Sequence, residues 1–96
     1  MRVRWTRPAL VDLAEIHDYI AADNPAAAKK VIRRIRQDAN ILSEHSAIGR
    51  TGRVPGTREL VVGRLPYVIA YRIGARDLDI VAVIHTSRRW PDLLPG

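Results

Sequence analysis

The segment VIHTSRRWPD, residues 83–92, closes the last apolar run of the chain and gathers a histidine, two arginines and a tryptophan. Such side chains serve either of two purposes. Cleaving RNA through its 2′-hydroxyl requires a base for that hydroxyl, a cation beside the scissile phosphate and an acid for the leaving oxygen. By residue type, His85 can act as the base and Arg89 as the cation. The other purpose is contact: His85, Arg88, Arg89 and Trp90 offer a cationic and aromatic surface, a combination enriched among residues that dominate binding. The plainer readings are a strand-end histidine hydrogen-bonded to the tail and a tryptophan folded back over the sheet.

A second cationic group lies upstream. Residues 45–76 hold Arg50, Arg53, Arg58, Arg64, Arg72 and Arg76 against Glu59 alone, so this middle third carries +5 in a chain of net charge +6. Residues 1–44 add +2 and residues 77–96 subtract one. Every cation of the middle segment is arginine, whose planar fork pairs bidentately with carboxylate or phosphate. Arg50, Arg53, Arg58 and Arg64 gather around a glycine-rich loop and the strand after it, as a surface for an acidic protein or a polyanion. Strand parity places Arg58 and Arg64 on one face, with Arg64 at the turn.

Other chemistries are excluded by composition and spacing. There is no cysteine, which removes disulfides and thiolate zinc sites and agrees with a reducing, cytoplasmic setting. His17, His45 and His85 have no short mutual spacing, so no metal site is expected. The loop GRTGRVPG lacks the G-x-x-x-x-G-K-[ST] pattern and follows no strand; neither a cofactor nor a small-molecule ligand is expected. No apolar run approaches the ~18 residues of a membrane span, and MRVRWT does not open a secretion signal.

These side chains must be positioned by a small set of elements. Residues 2–6 alternate as a half-buried strand, with Val3 and Trp5 opposite Arg4. Thr6 and Pro8 start a helix over 8–22 that sets Leu10, Leu13, Ile16, His17 and Ile20 along its inner side. Asn24 and Pro25 restart a helix over 25–43, with Ala28, Val31, Ile32, Ile35, Ala39 and Leu42 on one face. Its opposite face carries Lys29, Lys30, Arg33, Arg34 and Arg36. The short break between the helices demands a hairpin. After a loop over 45–56 the period changes to two, giving strands at 57–63, 67–73 and 78–85 and a tail over 86–96. Strict alternation puts His85 on the face of Val83 and Val81. The expected fold is a single α+β domain of order β-α-α-β-β-β, its helical hairpin packed on a mainly antiparallel four-stranded sheet.

GTRELVVGRLPYVIAYRI, followed by IHTSRRWP and preceded by VRWTRPALVDLAEIHDYI, resembles the RelE/ParE superfamily, the toxins of type II toxin–antitoxin modules. The resemblance spans nearly the whole chain and implies the same β-α-α-β-β-β order. It also implies a partner, a small ParD-like or RelB-like antitoxin that neutralises the toxin; Arg50, Arg53, Arg58 and Arg64 are the residues expected to contact that antitoxin or the target. Its two branches differ in action. RelE-like members are ribosome-dependent endoribonucleases, whereas ParE-like members poison DNA gyrase. RelE-like toxins use an arginine on the middle strand of the meander; lined up on the shared tyrosine Tyr71, that position is Val68 here. Many also carry a tyrosine in the tail, and WPDLLPG has none. A valine cannot stabilise a phosphorane, so the resemblance implies a gyrase-directed, ParE-like toxin. The alternative is an mRNA endoribonuclease acting on the ribosome with His85 and Arg89.

Overall fold

The computed structural model describes residues 1–87. The chain runs β1 (Arg2–Trp5), α1 (Arg7–Ala21), α2 (Pro25–Ile41), β2 (Arg50–Thr51), β3 (Arg58–Val61), β4 (Tyr67–Ile73) and β5 (Asp77–His85). These strands make one sheet in the order β1-β5-β4-β3-β2. β1 is parallel to β5, and the other neighbouring pairs are antiparallel. The α+β arrangement is the one expected from the sequence, with five strands in place of four. The added strand is β2, two residues inside the expected loop, held because Arg50 and Thr51 pair with Glu59 and Arg58.

Local chemistry sets where the helices begin. The Thr6 hydroxyl accepts from the Ala9 N–H at 3.4 Å, and Pro8 occupies the first turn, where a missing N–H costs nothing. The same hydroxyl donates to the Ile80 carbonyl at 2.7 Å, so one side chain joins the start of α1 to β5. Asn24 caps α2 through the Ala27 N–H at 3.0 Å, with Pro25 following it. Only Ala22 to Asn24 separate the helices, which forces the hairpin.

The helices cover one face of the sheet. Ala9, Leu13 and Ile16 of α1 and Ile35 and Ala39 of α2 pack with Leu42, Ile69, Tyr71, Leu78 and Ile80. Burying each large aliphatic side chain stabilises the fold by about 1.5–3 kcal/mol. α1 turns a narrower stripe inward than its sequence pattern implies. Positions 9, 13 and 16 face the sheet, while Leu10 is 43% exposed and the half-exposed His17 bonds its neighbour Asp18 at 3.1 Å. A smaller apolar cluster on the other face joins Val54, Ala70, Val81 and Ala82.

The register of β5 breaks once. Tyr71 pairs with Ile80 and Ala70 with Ala82, so Val81 is an extra residue, a β-bulge. Before the bulge Leu78 and Ile80 face the helices; after it Val83 does, and Val81 joins the opposite cluster. His85 therefore shares a face with Val83 but not with Val81, against strict alternation. A second irregularity follows from the shortness of β1, which pairs only with Asp77–Ile80. Beyond it, the Val83 N–H at the sheet margin donates to the Asp12 carboxylate of α1 at 2.9 Å. A helix thus closes an edge that a longer strand would otherwise pair.

Candidate functional site

His85 stands at the last residue of β5, opposite Tyr67 at the first residue of β4. The two rings meet edge to face with centroids 5.3 Å apart. The Ser87 N–H donates to His85 Nδ1 at 3.1 Å, and the Ser87 hydroxyl lies 2.7 Å from the same nitrogen. Nδ1 must then present its lone pair, which leaves the proton of the neutral ring on Nε2. In this arrangement the Nδ1 lone pair is taken up by Ser87, and Nε2–H is a donor. His85 lines a groove of about 330 Å³ with Asp12, Glu15, Tyr19, Tyr67 and Ser87. Two phenols and an imidazole in one groove can move protons, but Asp12 and Glu15 give the groove a negative lining that disfavours a phosphate. Arg88, Arg89 and Trp90, the other candidates of this end, lie outside the described residues.

The four arginines of the middle segment divide between separate sites. Arg50 and Arg53 converge on Glu59, which is only 3% exposed. Glu59 Oε1 accepts from Arg50 Nε and Nη2 at 3.1 and 3.0 Å, and Oε2 from the Arg53 backbone N–H at 2.8 Å. Burial works to raise the Glu59 pKa, yet the Arg53 N–H, the Arg50 guanidinium and both nearby positive charges together bring it below its ordinary value. Arg58 instead reaches the Gly49 carbonyl at 2.9 Å and the Ala47 carbonyl at 3.3 Å. It works beside Tyr71, whose buried hydroxyl donates to the Ser46 carbonyl at 2.7 Å and accepts from the Gly49 N–H at 3.0 Å. Burial raises the Tyr71 pKa, against smaller opposing effects of the Gly49 N–H and Arg58. Gly49 allows this approach, because an added Cβ would stand 2.5 Å from the Tyr71 hydroxyl. Arg64 belongs to neither group; it lies in the β3–β4 turn, across a groove from Lys30 and Arg34.

The geometry for phosphodiester cleavage does not assemble among the described residues. Val68, at the strand position where an arginine is wanted, is 1% exposed and pairs with Ile84. On β4, Arg72 has the parity of Val68 and Ala70 and pairs with Asp79, whereas Tyr67 at the strand's other end pairs with His85. Five residue steps of strand separate Arg72 from Tyr67, about 17 Å. Imidazole and strand cation therefore occupy opposite ends of the sheet and opposite faces.

Residues 3–90 match the family described as "ParE toxin of type II toxin-antitoxin system, parDE". The chain belongs to the ParE toxin family. Similar proteins agree along almost their full lengths. One, of Sinorhizobium fredii (strain NBRC 101917 / NGR234) and named "Putative toxin Y4kP", is 47% identical over 93 residues, covering 97% of this chain and 96% of that protein. A second, "Toxin RelE2" of Caulobacter vibrioides (strain ATCC 19089 / CIP 103742 / CB 15), is 39% identical over 87 residues, covering 91% and 97%. Among solved structures, a chain of "Chromosomal ParDE TA system from P. aeruginosa" superposes with a TM-score of 0.81 at 29% identity, covering 91% of this chain and 97% of that one. The fold and the class of type II toxin thus agree with what the sequence motifs imply.

Sequence reasoning missed the partners more than the principals. Glu59 reads as an ordinary strand carboxylate until its isolation among six arginines is noticed; that isolation is the signal. Asp12 and Tyr67 join His85 only through tertiary packing, and no spacing announces it. Lys30 and Arg34 read as part of a solvated helix face, and only the β3–β4 turn shows which of that face's cations line a groove.

Proposed function

We propose that this ParE-family toxin inhibits growth by binding and corrupting DNA gyrase, without cutting nucleic acid itself, and that a cognate antitoxin neutralises it. The observation that carries the reading is the separation just described, with Val68 in the strand position, and His85 held as a donor beside two carboxylates on the other face. Family membership supports the module and its antitoxin. We place target contact at His85 and at Arg88, Arg89 and Trp90. Antitoxin or target contact falls to the guanidinium surface of Arg50, Arg53, Arg58 and Arg64, of which Arg58 is half-buried. A second reading, the ribosome-dependent endoribonuclease, draws on the relative named "Toxin RelE2" and on the phenols of Tyr19 and Tyr67 beside His85.

The test is a supercoiling assay with purified gyrase, relaxed plasmid and the purified chain. Wild-type protein is expected to block supercoiling and leave cleaved plasmid. Replacing Arg88, Arg89 and Trp90 together by alanine should remove both effects while the thermal transition of the domain stays in place. Undisturbed supercoiling at stoichiometric excess of the wild-type protein would reject the gyrase reading.

A further inference from the structure

One groove shares only Arg64 with the candidate residues discussed above. It runs between α2 and the β3–β4 turn, has a volume of about 520 Å³, and is lined by Lys30, Val31, Arg34, Gly63, Arg64 and Leu65. Lys30 and Arg34 stand one helical turn apart and therefore share a side of α2. Arg64 faces them from the turn. Arg34 is anchored: its Nε bonds Asp38 at 3.0 Å, while its guanidinium lies against Gly63, where a side chain would collide with it. Gly63 also has φ +46°, so glycine serves both the turn and the guanidinium. Among the described residues Lys30 and Arg64 have no carboxylate partner. Between these cations the floor is aliphatic, formed by half-buried Val31 and Leu65.

A cationic rim over an aliphatic floor selects its occupant. A polynucleotide would find charge here but no aromatic platform for its bases. A polypeptide segment with one aliphatic side chain between carboxylates satisfies both parts, the floor by burial and the rim by ion pairs. We infer that this groove receives an acidic, aliphatic-anchored segment of the antitoxin, with Lys30 and Arg64 as its carboxylate contacts and Arg34 as a fixed wall. The inference rests on the antitoxin reading above and adds to it a place and a chemistry.

Affinity of the full-length chain for its full-length cognate antitoxin, measured by calorimetry at low and high salt, tests it. Lys30→Glu with Arg64→Glu is expected to weaken binding about tenfold or more at low salt and to flatten the salt dependence. Lys29→Glu with Arg76→Glu makes the same change of net charge at exposed positions outside the groove, and should bind within about twofold of wild type. Lys30→Arg with Arg64→Lys should also bind like wild type, because the rim needs charge rather than one side chain. Thermal melting confirms that each variant is folded, and Lys30→Gln with Arg64→Gln replaces the reversal if that variant melts early. Equal losses in the groove pair and the control pair, or no loss in either, overturn the groove assignment while leaving the antitoxin reading intact. Absence of binding by wild-type protein overturns the antitoxin reading itself.

Discussion

Two buried polar residues hold the arginine-rich middle segment to the sheet, and each does so by a different route. Tyr71 acts through a neutral hydroxyl that satisfies Ser46 and Gly49 at once. Tyr71→Phe keeps the ring but strands both backbone groups, and is expected to cost about 1–3 kcal/mol. Gly49→Ala should cost at least as much, since its Cβ would meet both the Tyr71 hydroxyl and, at 2.8 Å, the Glu59 carbonyl. Urea unfolding of the two variants checks both. Glu59 acts through charge, and this gives its contribution a pH dependence. Its folded pKa lies below the ordinary carboxylate value despite burial, because Arg53 and Arg50 favour the ionised form. Its stabilising effect is therefore complete above the ordinary value and disappears as pH falls through the depressed folded value. The stability difference between wild type and Glu59→Gln should be largest at about pH 6 and shrink towards about pH 3. A difference that stays constant over that range would show that the carboxylate's charge is not what holds Arg50 and Arg53.

At the scale of elements, the joints between secondary structures matter more than the elements themselves. Thr6 caps α1 and also bonds β5, whereas Asn24 caps α2 alone. Thr6→Ala is thus expected to destabilise by about 2 kcal/mol and Asn24→Ala by about 1 kcal/mol, read from denaturant midpoints. Equal costs would mean that the bond to Ile80 contributes nothing. Both caps were legible in the sequence, as were the two helices and strands β1, β3, β4 and β5, because each rests on local chemistry or on a period within one segment. β2 was not legible: Arg50 and Thr51 become a strand only by pairing with Glu59 and Arg58. Nor was the bulge at Val81. The run Ile80-Val81-Ala82-Val83-Ile84 is apolar at every position, so alternation carries no information about which side chain changes face. That one residue decides where His85 points. The candidate histidine could be named from sequence, but its surroundings of Tyr67, Asp12 and Glu15 could not.

At the scale of the whole molecule, Arg50, Arg53, Arg58 and Arg64 fall into three distinct groups. Arg50 and Arg53 are tied to Glu59, Arg58 braces the Ala47–Gly49 backbone, and Arg64 faces Lys30 and Arg34 across an aliphatic groove. A pool of arginines that looked like one surface in the sequence therefore divides into guanidiniums that also clamp the fold and one, Arg64, that faces a groove. The division has a functional consequence. Cations committed to Glu59 and to loop carbonyls are poorly placed to gather around a phosphate, whereas a groove whose Lys30 and Arg64 have no carboxylate partner among the described residues is open to an acidic protein. The proposed function is that of a protein that grips macromolecules and leaves their phosphodiester bonds alone. Mapping the 5′ ends of a messenger on translating ribosomes, after incubation with the purified chain, tests this most directly. The account predicts full-length messenger at concentrations that stop gyrase supercoiling. Discrete cuts that need the ribosome and vanish in His85→Ala would contradict it and establish a nuclease.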